Sequence, residues 1–186
     1  MIADELALVL ANVKDPFCQD CILHKDVSQV CIMGRGNVKS KIMLIGEGPG
    51  KDEDYQGKPF VGRCGKWLDK CLIALHINDK VYITNVVKCR PPDNRKPTPA
   101  EMIACRQYIS AEIRLIEPKV IVAMGKTAAE ALDFPIEIGR KFYKSSRLGN
   151  YYGIKTWHPA YCLRAGKPRT TEFFEHLKWA RKFTHG

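Results

Sequence analysis

KIMLIGEGPGKDEDYQGKPFVG, residues 41–62, decides how the rest of the chain is read. Residues 41–46 are a compact apolar run that stops at glycine, the pattern of a buried strand, and residues 47–63 continue as a long polar, glycine-rich segment. Downstream, Trp67, Leu68, Cys71, Leu72 and Leu75 recur on one helical face, and VYITNVV, residues 81–87, is a β-branched strand. Residues 88–99 are a loop by their prolines. Thr98, Pro99 and Glu101 form an N-cap, a first-turn proline and a capping-box acid, so a helix runs from there until Glu117 and Pro118. Residues 119–124 make a third strand, Gly125 opens a small-residue helix (KTAAEAL), and a fourth strand lies around residues 152–157. A closing helix carries Phe173, Phe174, Leu177 and Ala180 on its apolar side. Upstream, Leu6, Val9, Leu10 and Val13 predict a short opening helix that ends at Asp15 and Pro16.

Strands alternating with helices predict an α/β fold, a parallel sheet with helices on both faces. The 186 residues, 45% apolar, suit one domain spanning 1–186, with no internal repeat and no clear linker. In such sheets ligands bind where loops leave the carboxyl ends of the strands. Three segments rich in unusual residues leave from those ends: 47–63, 85–99 and 158–169.

No apolar stretch approaches the roughly 20 residues a membrane helix needs, and Asp4 and Glu5 stand where a secretory start would be basic. A soluble, intracellular (cytoplasmic) protein without a membrane partner is expected. A net charge of +10 and a pI near 9.2 suit a polyanionic partner, although a merely basic protein has the same balance.

Eight cysteines without an export signal point away from disulfides, toward metal ligation, catalysis or burial. Cys18 and Cys21 form a C-x2-C pair, and Cys89 and Cys105 a wider one. Four thiolates ligate zinc or a [4Fe–4S] cluster equally well, and spacing does not choose between them. Cys31, Cys64, Cys71 and Cys162 read as buried packing residues.

The 46–62 loop matches neither the P-loop nor the dinucleotide fingerprint. In TWHPAYCLRAGKPR, residues 156–169, the proline after His158 biases that histidine toward an extended backbone and so helps aim its ring. GEGPGKDEDYQGKPFVGRCG, ITNVVKCRPP, HPAYCLR and the four spaced cysteines together resemble the family 4, iron–sulfur, uracil-DNA glycosylases over nearly the whole chain.

The resemblance implies a three-layer α/β/α sandwich around a four-stranded parallel sheet. It implies a structural [4Fe–4S] cluster on Cys18, Cys21, Cys89 and Cys105, with zinc the less favoured metal. The implied activity is base-excision repair: uracil is flipped out of single- or double-stranded DNA and its N-glycosidic bond is hydrolysed. A monomer is the default, and no motif names a protein partner such as a sliding clamp.

In that reading Glu47 and His158 are catalytic, with His158 a donor to the O2 anion and Glu47 orienting water or stabilising the sugar cation. Phe60 stacks on uracil, Asn85 reads its edge, and Gly46, Gly48 and Gly50 bring backbone close to the base. Leu163 and Arg164 form a wedge, and Arg90, Arg95, Lys96, Lys167 and Arg169 hold phosphates. Asp52, Glu53 and Asp54 shape the loop. Gly48 departs from the family's usual alanine, a change expected to loosen the loop.

Two alternatives compete. A zinc-containing nucleic-acid-binding module explains charge and cysteines but not why Glu47, Phe60, Asn85 and His158 suit one pocket. A covalently trapping branch of the superfamily needs a nucleophilic histidine, and the corresponding GRKFYKSSR, residues 139–147, has none.

Overall fold

The computed structural model describes residues 11–134, 139–145 and 149–184. Among these, six strands form one mixed sheet: β1 (Arg35–Gly36), β2 (Ile42–Gly46), β3 (Val81–Asn85), β4 (Val120–Met124), β5 (Gly139–Ser145) and β6 (Gly149–Thr156). Their spatial order is β1-β3-β2-β4-β6-β5. The central four, β3, β2, β4 and β6, are parallel as the sequence predicts. The sheet as a whole is not purely parallel: β1, two residues long, and β5 add antiparallel edges. The apolar-run criterion misses both, because one is too short and the other carries three basic residues in seven.

Among the described residues, six α-helices have both ends in view: α1 (Lys51–Gln56), α2 (Arg63–Ala74), α3 (Pro99–Ile116), α4 (Lys126–Ala131), α5 (Pro159–Ala165) and α6 (Lys167–Ala180). Alternate residues of each strand enter opposite cores. Met43, Ile45, Ile121 and Ala123 meet Ile109 and Ile113 of α3 and Ala128 of α4. Ile42, Leu44, Val120 and Val122 meet Leu68 and Leu72 of α2 and Phe173 and Leu177 of α6. That division is the three-layer α/β/α arrangement. Because both faces of the sheet are covered, β2, β3 and β4 are buried at every position.

Thr98 caps α3 as expected: its Oγ1 accepts from the Glu101 amide at 3.2 Å while the Glu101 carboxylate accepts from the Thr98 amide at 2.8 Å. The 158–169 segment, expected as a loop, is instead helical. His158 is the N-cap of α5, Pro159 opens that helix, and α6 begins at Lys167. Proline fits the first helical turn because its missing N–H has no partner there to lose. Of the predicted opening helix, residues 11–13 are helical and the rest lies outside the described residues, as do residues 146–147 of the GRKFYKSSR stretch. Among the described residues no helix is long and apolar enough to cross a membrane.

The chain leaves β2 toward β3 on one side and later returns to β4 on the other, so the direction of winding reverses at β2. Ligands in open α/β sheets bind outside the carboxyl ends of strands at such a reversal.

Candidate active site

A cavity of about 560 Å³ opens at that point, and Glu47, Phe60, Asn85 and His158 all line it. Gly48, Gly50, Thr127, Tyr161 and Arg164 complete much of its wall. Two strand ends, the 46–62 segment and the start of α5 therefore converge as the sequence predicts.

Gly46 ends β2, and a Cβ there would stand 2.5 Å from the Phe60 ring and 2.6 Å from Asn85 Oδ1. Glycine is thus what lets the aromatic ring and the amide share one wall. Asn85 is only 2% exposed, and its Oδ1 has no hydrogen-bond partner. A buried acceptor left unpaired costs about 1–3 kcal/mol, so this atom is poised to receive a donor from a ligand.

Phe60 is buried and sits at φ +54°, a left-handed conformation uncommon for a non-glycine residue. Two clamps hold it. Arg35 donates from Nε to the Pro59 carbonyl at 2.9 Å and from Nη2 to the Phe60 carbonyl at 3.0 Å, and is itself paired with Asp69 at 2.7 Å. On the other side the Glu53 carboxylate accepts from the amides of Gly50 at 3.0 Å and of Val61 and Gly62 at 2.8 Å each. The Gly50 amide is therefore spent within the loop. Asp54 accepts from the amides of Ser28 and Gln29, tying the loop to the N-terminal segment. Glu53 and Asp54 both shape the loop, as expected.

The Thr127 hydroxyl donates to Glu47 Oε2 at 2.5 Å, a bond that does not engage Oε1. His158 Nδ1 accepts from the Ala160 amide at 3.2 Å. A backbone N–H only donates, so a neutral imidazole here carries its proton on Nε2. Burial, and then the nearby Arg164 charge, lower the His158 pKa to about 4. The ring is neutral near pH 7, with one N–H to offer.

Gly48 is packed rather than loosened. A Cβ there would meet the Val87 Cγ2 methyl at 2.8 Å, so the side chain of Val87 occupies the space an alanine would need.

The proposed DNA contacts are divided. Arg164 is exposed at the cavity wall, Lys167 is exposed at the start of α6, and Leu163 is partly buried outside the lining. Arg90 donates to Asn94 Oδ1. Arg95 makes a two-pronged pair with Glu101, Lys96 pairs with Glu130, and Arg169 with Glu172.

Cys89 and Cys105 are buried in one apolar cluster with Cys21 packed against it, and Cys18 lies beside Tyr108. Burial chiefly, with Cys21 adding to both and Cys18 to Cys89, pushes the Cys89 thiol up to about 11 and Cys105 to about 12. The four are thus electrostatic neighbours. Among the described residues, no three Cys, His, Asp or Glu side chains are gathered tightly enough for a single metal ion. Cys71 and Cys162 are packing residues, as expected, whereas Cys64 lines the cavity.

Sequence reading missed a buried ion pair behind Asn85. Lys88 Nζ donates to Glu112 Oε2 at 2.6 Å, to Thr84 Oγ1 at 2.6 Å and to the Asn85 carbonyl at 2.8 Å. Glu112 also accepts from the Gly34 amide at 2.7 Å and the Tyr82 hydroxyl at 3.0 Å. Both charged side chains are essentially inaccessible. The only signal in sequence is a lysine directly after an apolar strand.

Residues 33–179 match the uracil DNA glycosylase superfamily. The chain is 45% identical over 155 residues to a type-4 uracil-DNA glycosylase of Thermotoga maritima, covering 79% of this chain and 78% of that one. It is 39% identical over 170 residues to a type-4 enzyme of Archaeoglobus fulgidus, covering 85% and 83%. A type-5 uracil-DNA glycosylase of Thermus thermophilus is 35% identical over 117 residues, 54% and 53% of the two chains.

Proposed function

The chain belongs to the uracil-DNA glycosylase superfamily, and from that membership we propose how its cavity removes uracil from DNA. The activity is that of a uracil-excising DNA repair glycosylase. Asn85 carries the reading: its buried, unpartnered Oδ1 lies in the same cavity as Phe60 and His158 and suits the N3–H of an extruded uracil. Cytosine offers an acceptor at that atom and would leave two acceptors facing each other. Phe60 supplies the stacking face, worth about 1–3 kcal/mol per base.

Flipping the nucleotide costs a few kcal/mol. As the glycosidic bond breaks, its electron pair passes to uracil, and negative charge collects at O2. His158 donates its Nε2–H there. A neutral donor suffices, and the buried ring avoids the cost of holding a cation. Water adds to C1′ of the sugar, and the proton it loses balances the one the departing uracil anion takes up from solvent; Glu47, fixed through Oε2 by Thr127, orients that water with its other oxygen and opposes the positive charge on the sugar. Gly46 keeps base, ring and amide in contact. Arg164 and Lys167 hold phosphates, Leu163 enters the gap, and Arg90 supports the adjoining turn through Asn94.

Cys18, Cys21, Cys89 and Cys105 are read as ligands of a [4Fe–4S] cluster. An all-sulfur donor set of neighbouring, mostly buried cysteines supports this. When bound, the cluster supplies ties between the N-terminal segment, the loop after β3 and α3. We read 1–186 as one glycosylase domain, acting as a monomer on uracil in single- or double-stranded DNA inside the cell.

Incubation with an oligonucleotide bearing one uracil, followed by alkali, is expected to cut the strand at that position. An intact strand would refute the reading. Brown protein absorbing broadly near about 400 nm is expected for the cluster, against colourless protein for zinc.

A further inference from the structure

Tyr161 is 39% exposed at the cavity wall, although the neighbouring α5 residues Pro159 and Cys162 are buried. It stands three positions after His158, so the two side chains share one helix face. Its ring lies against Trp157, centroids 5.0 Å apart and planes 36° from parallel. Trp157 is itself fixed. Its indole N–H donates to Glu172 at 2.6 Å, and the Arg169 guanidinium lies over its ring at 4.6 Å while pairing with Glu172 at 3.1 Å. Tyr161 is thus an exposed aromatic ring on a rigid support, between the group facing uracil and the cationic Arg164.

We propose that Tyr161 is a stacking platform for the base next to the extruded uracil. This rests on the excision reading and extends it beyond the uracil itself. Flipping one nucleotide strips its neighbour of a stacking partner, and the strand entering the cavity must pass over its wall. A phenol ring already held in place accepts that orphaned base without ordering a free side chain. Arg169 and Glu172 then act on DNA through Trp157 rather than by touching phosphate. Because every base has a π-face, the platform accepts all four, and the wider purines gain most.

The test compares two single-strand oligonucleotides with one uracil each, flanked either by purines or by base-less spacer residues. Tyr161→Ser is expected to raise KM about tenfold on the purine-flanked strand, with kcat little changed, and to leave the spacer-flanked strand unaffected. Tyr161→Phe should restore the wild-type pattern. Equal loss on both strands, or loss on neither, overturns the proposal. A second arm needs no catalysis: an oligonucleotide with 2-aminopurine beside a tetrahydrofuran abasic analogue is titrated with protein. Wild type and Tyr161→Phe should quench the 2-aminopurine more than Tyr161→Ser does, and equal quenching also overturns it. Should Tyr161→Ser fold poorly, Tyr161→Leu serves in both arms. Absence of uracil excision by the wild type would instead sink the excision reading, and the quenching arm would still judge Tyr161.

Discussion

Replacing Lys88 by methionine removes the ammonium that faces Glu112 but keeps most of the side chain's volume. Glu112 is then left wholly buried without a countercharge, and among the described residues its remaining donors are the Gly34 amide and the Tyr82 and Thr84 hydroxyls. Breaking one side of a buried ion pair costs about 3–5 kcal/mol. Total stability for a domain is about 5–15 kcal/mol, so the variant gives up a large fraction of it. With a urea dependence of about 2 kcal/mol per molar, the unfolding midpoint should fall by about 2 M. Trp67, Trp157 and Trp179 report the transition by fluorescence. Glu112→Gln alone strands the lysine and should cost a similar amount. The pair Lys88→Met/Glu112→Gln leaves no uncompensated charge, and its cost should be well below the sum of the two. A midpoint shift under about 0.5 M for Lys88→Met, or strictly additive single variants, would show that the pair does not hold the end of β3 as its geometry implies.

Other expectations concern the cavity itself. His158→Ala should lower kcat about 10²–10³-fold, the cost of removing one donor to a developing oxyanion, while DNA binding by gel shift persists; unaltered turnover would remove His158 from the mechanism. With its pKa near 4, His158 stays neutral on both sides of pH 6.5, so turnover should show no break there; a break near 6.5 that vanishes in His158→Ala would contradict the neutral donor. The depressed pKa also sets a sign for stability: the contribution is present above the ordinary histidine value of about 6.5 and is lost as pH falls from there toward 4, read as a falling Tm. Asn85→Asp should erode the preference for uracil over cytosine in matched oligonucleotides, and a variant keeping full discrimination would contradict the reading role. Gly48→Ala should cost about 1–3 kcal/mol by overpacking against Val87, read as a lower Tm. Gly48→Ala/Val87→Ala should recover part of it.

The parallel core and the four cavity residues were legible because each leaves a local mark. A buried parallel strand is an unbroken apolar run, and the residue after it is already at the ligand-binding edge, which places Glu47 and Asn85 without any contact being known. The capping box at Thr98 is equally local. The antiparallel edges leave no such mark: residues 139–145 are half polar, and two-residue β1 is defined by its partner alone. His158 is extended, as the following proline implies, but an extended residue before proline is also what an N-cap looks like, so the histidine alone does not announce helix α5. Glu112, between Ala111 and Ile113 in a long helix, has the spacing of an ordinary exposed acid, and only the return of the chain brings Lys88 to it across 24 positions.

What sequence hides most completely is how the cavity is held before any DNA arrives. Each of its four groups is fixed by a residue at its back: Thr127 at Glu47, Arg35 and Glu53 around Phe60, Lys88 at the Asn85 carbonyl, the Ala160 amide at His158. Donors aimed in advance at developing charge spare the reaction the work of reorienting them. The same logic accounts for Phe60. A left-handed phenylalanine costs of order 1–3 kcal/mol, and it persists because the carbonyls before and after the strained bond, at Pro59 and Phe60, are both taken by one guanidinium that Asp69 anchors. The strain yields a ring that lies against Gly46 and Asn85 without waiting for a base to order it, so in the proposed mode an incoming uracil would meet a slot whose shape is already set by residues it never touches.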